Sequence, residues 1–561
     1  MFHASIMAGS SPSGALQGDR IHEAVSLARV LKLPPVSQRV EEILRYHERT
    51  KHHPGRYAAA LGYMDWETQP DPFRRFEGAP LTRLELVKDL ASAGLGALGN
   101  VAPAPLDRRF VSQLLMDSLG LSAWKQAGAA RWALRCNPSS GNLHPTEGYV
   151  LLPAIEGVCD RPGLFHYAPK EHALELRGEM DDASWRSATD GGPPLLVALT
   201  SIYLRESWKY GERAFRYCQH DVGHAIGAVA YAAAVMGWRV RPVPEVGDWQ
   251  LSALLGIASQ EGPEAEHPDL LLALWPGEPG QWDPEGLATL APAFRPDPPA
   301  PLSSEHHPWP AIDAATLACS RWEGIPPVPK QVGPASDLDA GPSTRLLIRR
   351  RRSAVSMDAV TGLSAERFFA MLRATMPDRM PCGALPGRPA VHLALYVNRI
   401  DGLHPGLYLL IRDRTAEEML RSELSEKATW EEVGPEDLPL RSLTAGDPRT
   451  VAQQVSCGQA IASDGAFAVS MLAEFEPVLR REGAWAYRRL HWEAGLIGQI
   501  LYLEAEAAGL QSTGIGCFFD DSIHRVLGLR GRDLQSLYNF TVGAAVLDER
   551  LQTLDAYHHL V

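Results

Sequence analysis

Cysteine is scarce, with seven residues in 561, at positions 136, 159, 218, 319, 382, 457 and 517. They form no CxxC pair and no Cys/His cluster at zinc spacing, which excludes a disulfide framework and suits unpaired thiols in a reducing compartment. Long apolar runs are also missing. The longest low-charge stretch, Val222–Trp238, is rich in Ala and Gly and falls short of the roughly 20 apolar residues of a membrane helix. It reads as a buried core helix, so no membrane is expected as a partner. The N-terminus lacks a basic segment followed by an apolar run and a small-residue cleavage site, so a cytoplasmic location is expected. Positive charge is in deficit: Lys+Arg is 54 against Asp+Glu 67, a net charge of −13. Such a balance argues against broad binding of nucleic acid, and none is expected. The doublets His52-His53, His306-His307 and His558-His559 have no spaced partners and read as solvated surface, so no metal site is expected.

What is present is an ordinary globular composition, 45% hydrophobic and 22% charged, long enough for two large domains or about three smaller ones. The chain also repeats itself. Placing Ala214-Phe215-Arg216-Tyr217 over Ala486-Tyr487-Arg488-Arg489 gives an offset of 272 residues (486 − 214), and the register then holds without a gap. Asp221 meets Glu493, Gly223 meets Gly495, Gly237 meets Gly509, and Leu255-Gly256-Ile257 meets Leu527-Gly528-Leu529. Upstream, Pro162-Gly163-Leu164-Phe165 matches Pro405-Gly406-Leu407-Tyr408. This shared order implies an internal duplication.

Periodicity predicts an α+β pattern in each half. The first has helices at 24–33, 82–93, 106–119 and 214–236, with strands at 148–152, 164–167, 195–202 and 270–274. The second repeats it with a helix at 365–374, strands at 392–398 and 465–472, a long helix at 485–508 and a strand at 540–547. Pro- and Gly-rich sequence lies between. The expected organisation is a disordered tail over residues 1–20, a first domain over 21–280, a connecting arm over 281–342 that packs along the surface, and a second domain over 343–561.

Four segments carry chemistry. In Arg135–Tyr149, Pro138 and Pro145 stiffen a loop in which Ser139, Ser140 and Asn142 offer donors and acceptors. The run Arg349-Arg350-Arg351-Arg352-Ser353 offers guanidinium forks that suit phosphate. In Gly509–Asp520, Gly514 and Gly516 flank Ile515 and permit close approach because they lack a Cβ. Finally, Lys209-Tyr210-Gly211 precedes the first long helix, where a Lys or Tyr of lowered pKa could move a proton. Asp221 and His224 on that helix read as residues of the core or of a supporting shell.

These four segments resemble those of the nitroreductase superfamily of flavin enzymes, and most closely the SagB-type azoline dehydrogenases, which oxidise thiazolines and oxazolines in modified peptides. The resemblance implies two nitroreductase-like domains, each a mainly antiparallel sheet wrapped by helices, joined as an intramolecular pseudo-dimer with FMN at the interface; further oligomerisation stays open. It implies flavin binding by Pro138, Ser139, Ser140, Asn142, Arg351, Arg352, Ser353, Gly514, Ile515, Gly516 and Arg550, with Lys209 and Tyr210 catalytic. Val355 departs from the family pattern, which has a second basic residue there. One FMN per chain is expected, because in the reverse site Ser139, Ser140 and Asn142 become Cys382, Gly383 and Leu385, and Gly514 and Gly516 become Pro242 and Pro244. Only Arg49-Thr50-Lys51 could stand in for the Arg run. Three activities stay open: a dehydrogenase of a heterocycle in a small molecule or modified peptide, an NAD(P)H-dependent nitro or quinone reductase, and a non-catalytic flavin-binding partner of biosynthetic proteins.

Overall fold

The computed structural model describes residues 34–280, 282–321, 323–327, 333–337 and 341–561. The expected tail and the helix expected at 24–33 lie outside the described residues. In the first half the strands are β1 (Leu81–Arg83), β2 (Thr146–Leu152), β3 (Gly163–Ala168), β4 (Ala173–Glu179), β5 (Leu195–Ser201), β6 (Trp238–Pro242) and β7 (His267–Pro276). The second half has β8 (Val391–Val397), β9 (Gly406–Leu410), β10 (Glu431–Glu432), β11 (Leu440–Ala445), β12 (Phe467–Glu474), β13 (Gln511–Ile515) and β14 (Leu534–Gly543).

Among the described residues the first sheet runs β1-β4-β3-β2-β5-β7-β6, with the short strand Ala293–Phe294 also on β4, and the second runs β10-β11-β9-β8-β12-β14-β13. Every neighbouring pair in both is antiparallel. The run β4-β3-β2-β5-β7-β6 matches β11-β9-β8-β12-β14-β13 in order, and the sheets differ at the outer edge, where β1 precedes its run in sequence while β10 lies between β9 and β11. β5 and β12 begin 272 residues apart (467 − 195), as do the helices Asp248–Leu255 and Asp520–Leu527 (520 − 248). Strands β2, β5 and β8 are buried along their whole length, which is why they read as short continuous apolar runs rather than alternating ones.

The helices Ala214–Ala234 and Ala486–Ala507 pack against each other at the centre, and every residue of the first is buried. Their cores are shared between halves. Phe215 and Cys218 belong to one buried cluster with Phe467, Val469 and Leu537, while Trp492, Leu496 and Ile500 belong to another with Val150, Val197 and Leu272. A fully buried aromatic or aliphatic side chain contributes about 1.5–3 kcal/mol, so separating the halves would forfeit part of both cores.

The chain ends cross over as well. The helix Val36–Arg49 buries Val40, Ile43 and Leu44 in the cluster of the second half. At the other end, Gln552–Leu554 pairs with Leu121–Ala127, itself paired with Ala130–Arg135, and Tyr557 packs in a cluster with Phe73, Met116 and Leu121. Within the stretch 281–342, expected to pack along the surface, the helix Pro310–Cys319 sends Ile312 and Ala315 into the second-half cluster.

Three local expectations are corrected. Residues 82–93 are not helical: Leu81–Arg83 extends the sheet edge against β4, and the amide of Leu84 donates to the carbonyl of His172. The spacing of Leu84 and Val87 suits a helix, but both are buried from irregular chain. The strand expected at 540–547 lies at 534–543. His52 is buried rather than solvated, its Nδ1 accepting from the amide of Ala58 at 2.9 Å.

Candidate active site

A cavity of about 1030 Å³ opens between the halves. Its wall takes Pro138, Ser139, Ser140, Asn142 and Tyr210 from the first half and Arg351, Arg352, Ser353, Gly514, Ile515, Gly516 and Arg550 from the second. Every residue expected at the site is therefore in the lining except Lys209, whose Nζ stands 5.3 Å from the ring centre of Tyr210.

The Ser139–Asn142 turn is rigid because its polar groups are committed to the fold. Gly141 and Asn142 have φ of 59° and 60°, a region that glycine and asparagine tolerate. The amide and hydroxyl of Ser140 both donate to Asp221, at 3.0 and 3.2 Å, leaving the Ser140 oxygen as an acceptor. Ser139 Oγ accepts from the amide of His144 at 2.8 Å and lies 3.4 Å from Glu206. Asn142 Nδ2 donates to the carbonyl of Ala133 at 2.7 Å. A Cβ on Gly141 would stand 2.4 Å from Tyr210 Oη, so the turn and Tyr210 are packed together.

Behind the turn, Glu206 and Asp221 form a buried carboxyl pair. Burial pushes Asp221 up to about 7, against the bonds from Ser139 and Ser140. Burial and then the Asp221 charge push Glu206 well above the carboxylate range. The pair thus holds a proton near neutrality. Tyr210 departs from expectation: burial, then Glu206, raises its phenol well above the ordinary value. The phenol is therefore a proton donor or hydrogen-bond holder at neutral pH rather than a ready base.

The arginine run divides its work. Arg349 bonds to Asp117 at 2.6 Å and Arg350 to Glu506 at 3.2 Å. Arg351 is buried, lies 4.8 Å from the centre of the Tyr502 ring, and donates Nη2 to the carbonyl of Arg135. Its Nε and Nη1 are buried with no protein partner. Arg352 donates to the carbonyls of Arg349, Arg351 and Ser122, and burial, then Arg351, lowers its guanidinium to about 10. Lys125 shares this wall. Arg550 is exposed and bonded to Asp548 at 2.7 Å.

Gly514 and Gly516 owe their lack of a Cβ first to protein neighbours. A Cβ would stand 1.8 Å from Tyr538 Oη at Gly514 and 2.6 Å from Tyr217 Cε1 at Gly516. Both tyrosines line the cavity. The carbonyl of Gly516 accepts from Tyr217 at 3.1 Å and from Arg213 at 3.3 Å. Arg213 and Arg216 also clasp Asp520, at 3.0 and 2.8 Å, and against burial hold its carboxyl well below the usual range. Sequence reasoning missed Glu206, Tyr217, Tyr502 and Tyr538. Glu206, three residues before Lys209, could have been found as a carboxylate one turn from the pair on the same helix.

The second cavity of this kind holds about 580 Å³ and is lined by Pro242, Pro244, Met380, Gly383, Leu385, Arg239 and Arg241. Of the residues expected at the reverse site, Gly383, Leu385, Pro242 and Pro244 line it, while Cys382 lies outside its lining. Arg49 and Lys51 do not line it; they pair instead with Glu212 at 2.5 Å and Asp521 at 3.0 Å. No described helix is long and apolar enough to cross a membrane.

The Nitroreductase family model matches residues 405–544. A relative in Methanocaldococcus jannaschii, "Putative nitroreductase MJ1384", is 26% identical over 160 residues, which is 28% of this chain and 76% of the relative. The crystal structure of a "putative nitroreductase" from Anabaena variabilis superposes with a TM-score of 0.65 at 21% identity, over 90% of this chain and 99% of that one. Another structure so described, from Ralstonia eutropha, gives a TM-score of 0.27 at 20% identity over 38% of this chain and 94% of that one. Residues 405–544 are thus similar to the Nitroreductase family, in a chain whose two halves share one nitroreductase-like α+β fold.

Proposed function

We propose that the chain is an FMN-dependent oxidoreductase that holds one flavin in the composite cavity, and that it is a SagB-type dehydrogenase converting an azoline to an azole. The observation that carries this is the pair of buried, unpartnered nitrogens of Arg351, in a wall shared with the Ser139–Asn142 turn and the Gly514–Gly516 strand end. A buried guanidinium with free donors suits a phosphate.

In this reading Arg351, Arg352 and Lys125 hold the phosphate, and Ser139, Asn142 and the Gly514–Gly516 backbone face the ring system. Flavin held there would supply the acceptor for the electron pair. Tyr210 hydrogen-bonds the substrate at its Oη and relays the released proton toward the Glu206–Asp221 pair, which holds one proton between two carboxyls and can take a second, and Lys209 acts through Tyr210 as a positioning residue. The protein works in the cytoplasm, alone or beside biosynthetic partners that supply a modified peptide. Its domains are residues 21–280 and 343–561, joined by the arm 281–342 and descended from a duplication.

The position of Lys209 outside the cavity lining favours a second reading, an NAD(P)H-dependent reductase of nitro or quinone compounds, which needs only the flavin and an open pocket. Anaerobic assays with an azoline peptide and with a quinone plus NAD(P)H separate the two. Tyr210→Phe is expected to keep bound flavin and lower azoline oxidation about a hundredfold, the scale of general acid–base catalysis. Full azoline turnover by Lys209→Ala/Tyr210→Phe would remove the dehydrogenase reading.

A further inference from the structure

Cys457 and Cys517 are 60 residues apart in sequence, yet their Sγ atoms stand 2.9 Å from each other. Cys457 follows the helix Arg449–Val455, and Cys517 follows Gly516 at the end of the cavity-lining strand β13. Two further bonds tie these segments together: Gln459 Nε2 donates to the carbonyl of Cys517 at 2.9 Å, and the amide of Phe519 donates to the carbonyl of Val455 at 2.8 Å. Both thiols are half-buried. Cys517 lines the cavity, and Cys457 lies beside Tyr57, which is 53% exposed. The pair thus bridges the cavity and the outer surface.

Cys457 also has φ of 55°, where glycine would be the unstrained choice. A side chain kept at such a position points to a role for its sulfur. The residues at the 272 offset in the first half are Trp185 and Glu245, so the pair belongs only to the complete cavity.

We propose that Cys457 and Cys517 form a redox-active dithiol–disulfide couple in the cavity wall, oxidised by a low-molecular-weight disulfide or by oxidised flavin in the cavity. With a disulfide RSSR, the Cys517 thiolate attacks one sulfur, a Cys517–S–S–R bond forms and RS⁻ leaves. The Cys457 thiolate then attacks Cys517 Sγ, the Cys457–Cys517 bond forms and a second RS⁻ leaves. The two thiol protons end on the two RS⁻, so the protein loses two electrons and RSSR gains them. With flavin, the same two electrons and two protons reduce the ring. The bond to Cys457, aided by the Arg213 guanidinium, draws the Cys517 thiol below its ordinary value against the push of burial, which makes it the attacking sulfur.

The test treats the reduced full-length protein with oxidised glutathione, alkylates it under denaturing conditions and maps disulfides by mass spectrometry. The expected result is a cross-link between the Cys457 and Cys517 peptides as the first disulfide formed, reversed by dithiothreitol. Cys457→Ser should accumulate glutathione on Cys517, because the resolving thiol is gone. Both thiols staying alkylated while other cysteines oxidise, or glutathione persisting on Cys517 of the unaltered protein, would overturn the proposal. In flavin-loaded protein kept anaerobic without glutathione, cross-linking matched one for one by flavin bleaching assigns flavin as the oxidant; cross-linking only after glutathione is added assigns the small disulfide. The mapping reads out with or without flavin, so it stands apart from the proposed enzyme activity.

Discussion

Gly223 and Gly495, equivalent residues of the two long helices, face each other where those helices cross. A Cβ on Gly223 would stand 2.2 Å from the carbonyl oxygen of Trp492 and 2.9 Å from the Cα of Gly495, and one on Gly495 would stand 2.1 Å from the carbonyl oxygen of His220. The obstacles are backbone atoms, so a methyl group can be accommodated only by separating the helices.

Alanine at either position is therefore expected to destabilise the protein although it favours a helix by about 1 kcal/mol over glycine. Overpacking costs roughly 1–3 kcal/mol, and the crossing carries both halves of the cavity. Thermal unfolding should show a lowered midpoint for Gly223→Ala and Gly495→Ala. An unchanged midpoint in both would show that the helices can part freely.

Arg351→Ala is expected to weaken FMN binding by about ten- to a hundredfold, since hydrogen bonds to charged groups contribute about 1.5–3 kcal/mol. Riboflavin, which has no phosphate, should bind the variant and the unaltered protein alike. Fluorescence titration with the two ligands makes the comparison, and equal losses for both would place Arg351 away from the phosphate.

Stability should fall with rising pH through the range set by Asp221. Its carboxyl is raised from 3.8 to about 7, so the native state holds a proton that the unfolded chain has released. The associated stability is fully present below about pH 4 and is lost as pH rises through about 7. Denaturant unfolding across this window should give a shallower decline for Asp221→Asn, which keeps the shape of the side chain without its charge. Identical slopes would mean that Asp221 is ionised throughout.

Flavin released from loaded protein should approach one equivalent per chain. The second cavity presents Gly383 and Leu385 where the first presents Ser140 and Asn142, and Pro242 and Pro244 where the first has Gly514 and Gly516. Proline rings remove the backbone donors of such a strand end. Arg352→Ala and Asn142→Leu, from opposite halves, should lower the same occupancy, and two equivalents of flavin would contradict the composite site.

The repeat was legible in the sequence because the 272 offset preserves helix register through Arg216 and Arg488, whose partners Asp520 and Asp248 carry the same offset. The α+β pattern and the Ser139–Asn142, Arg351–Ser353 and Gly514–Gly516 segments were legible too, since turn chemistry, charge and missing side chains are local properties. Tertiary structure decided which of these residues face the cavity and what surrounds them. Only folding brings Glu206 to Asp221, Tyr538 to Gly514 and Cys457 to Cys517, because these contacts depend on chain segments distant in sequence, and pairings of that kind leave no periodicity to read. It likewise replaced the helix expected at 82–93 with a short edge strand, Leu81–Arg83, bonded to β4, followed by irregular chain.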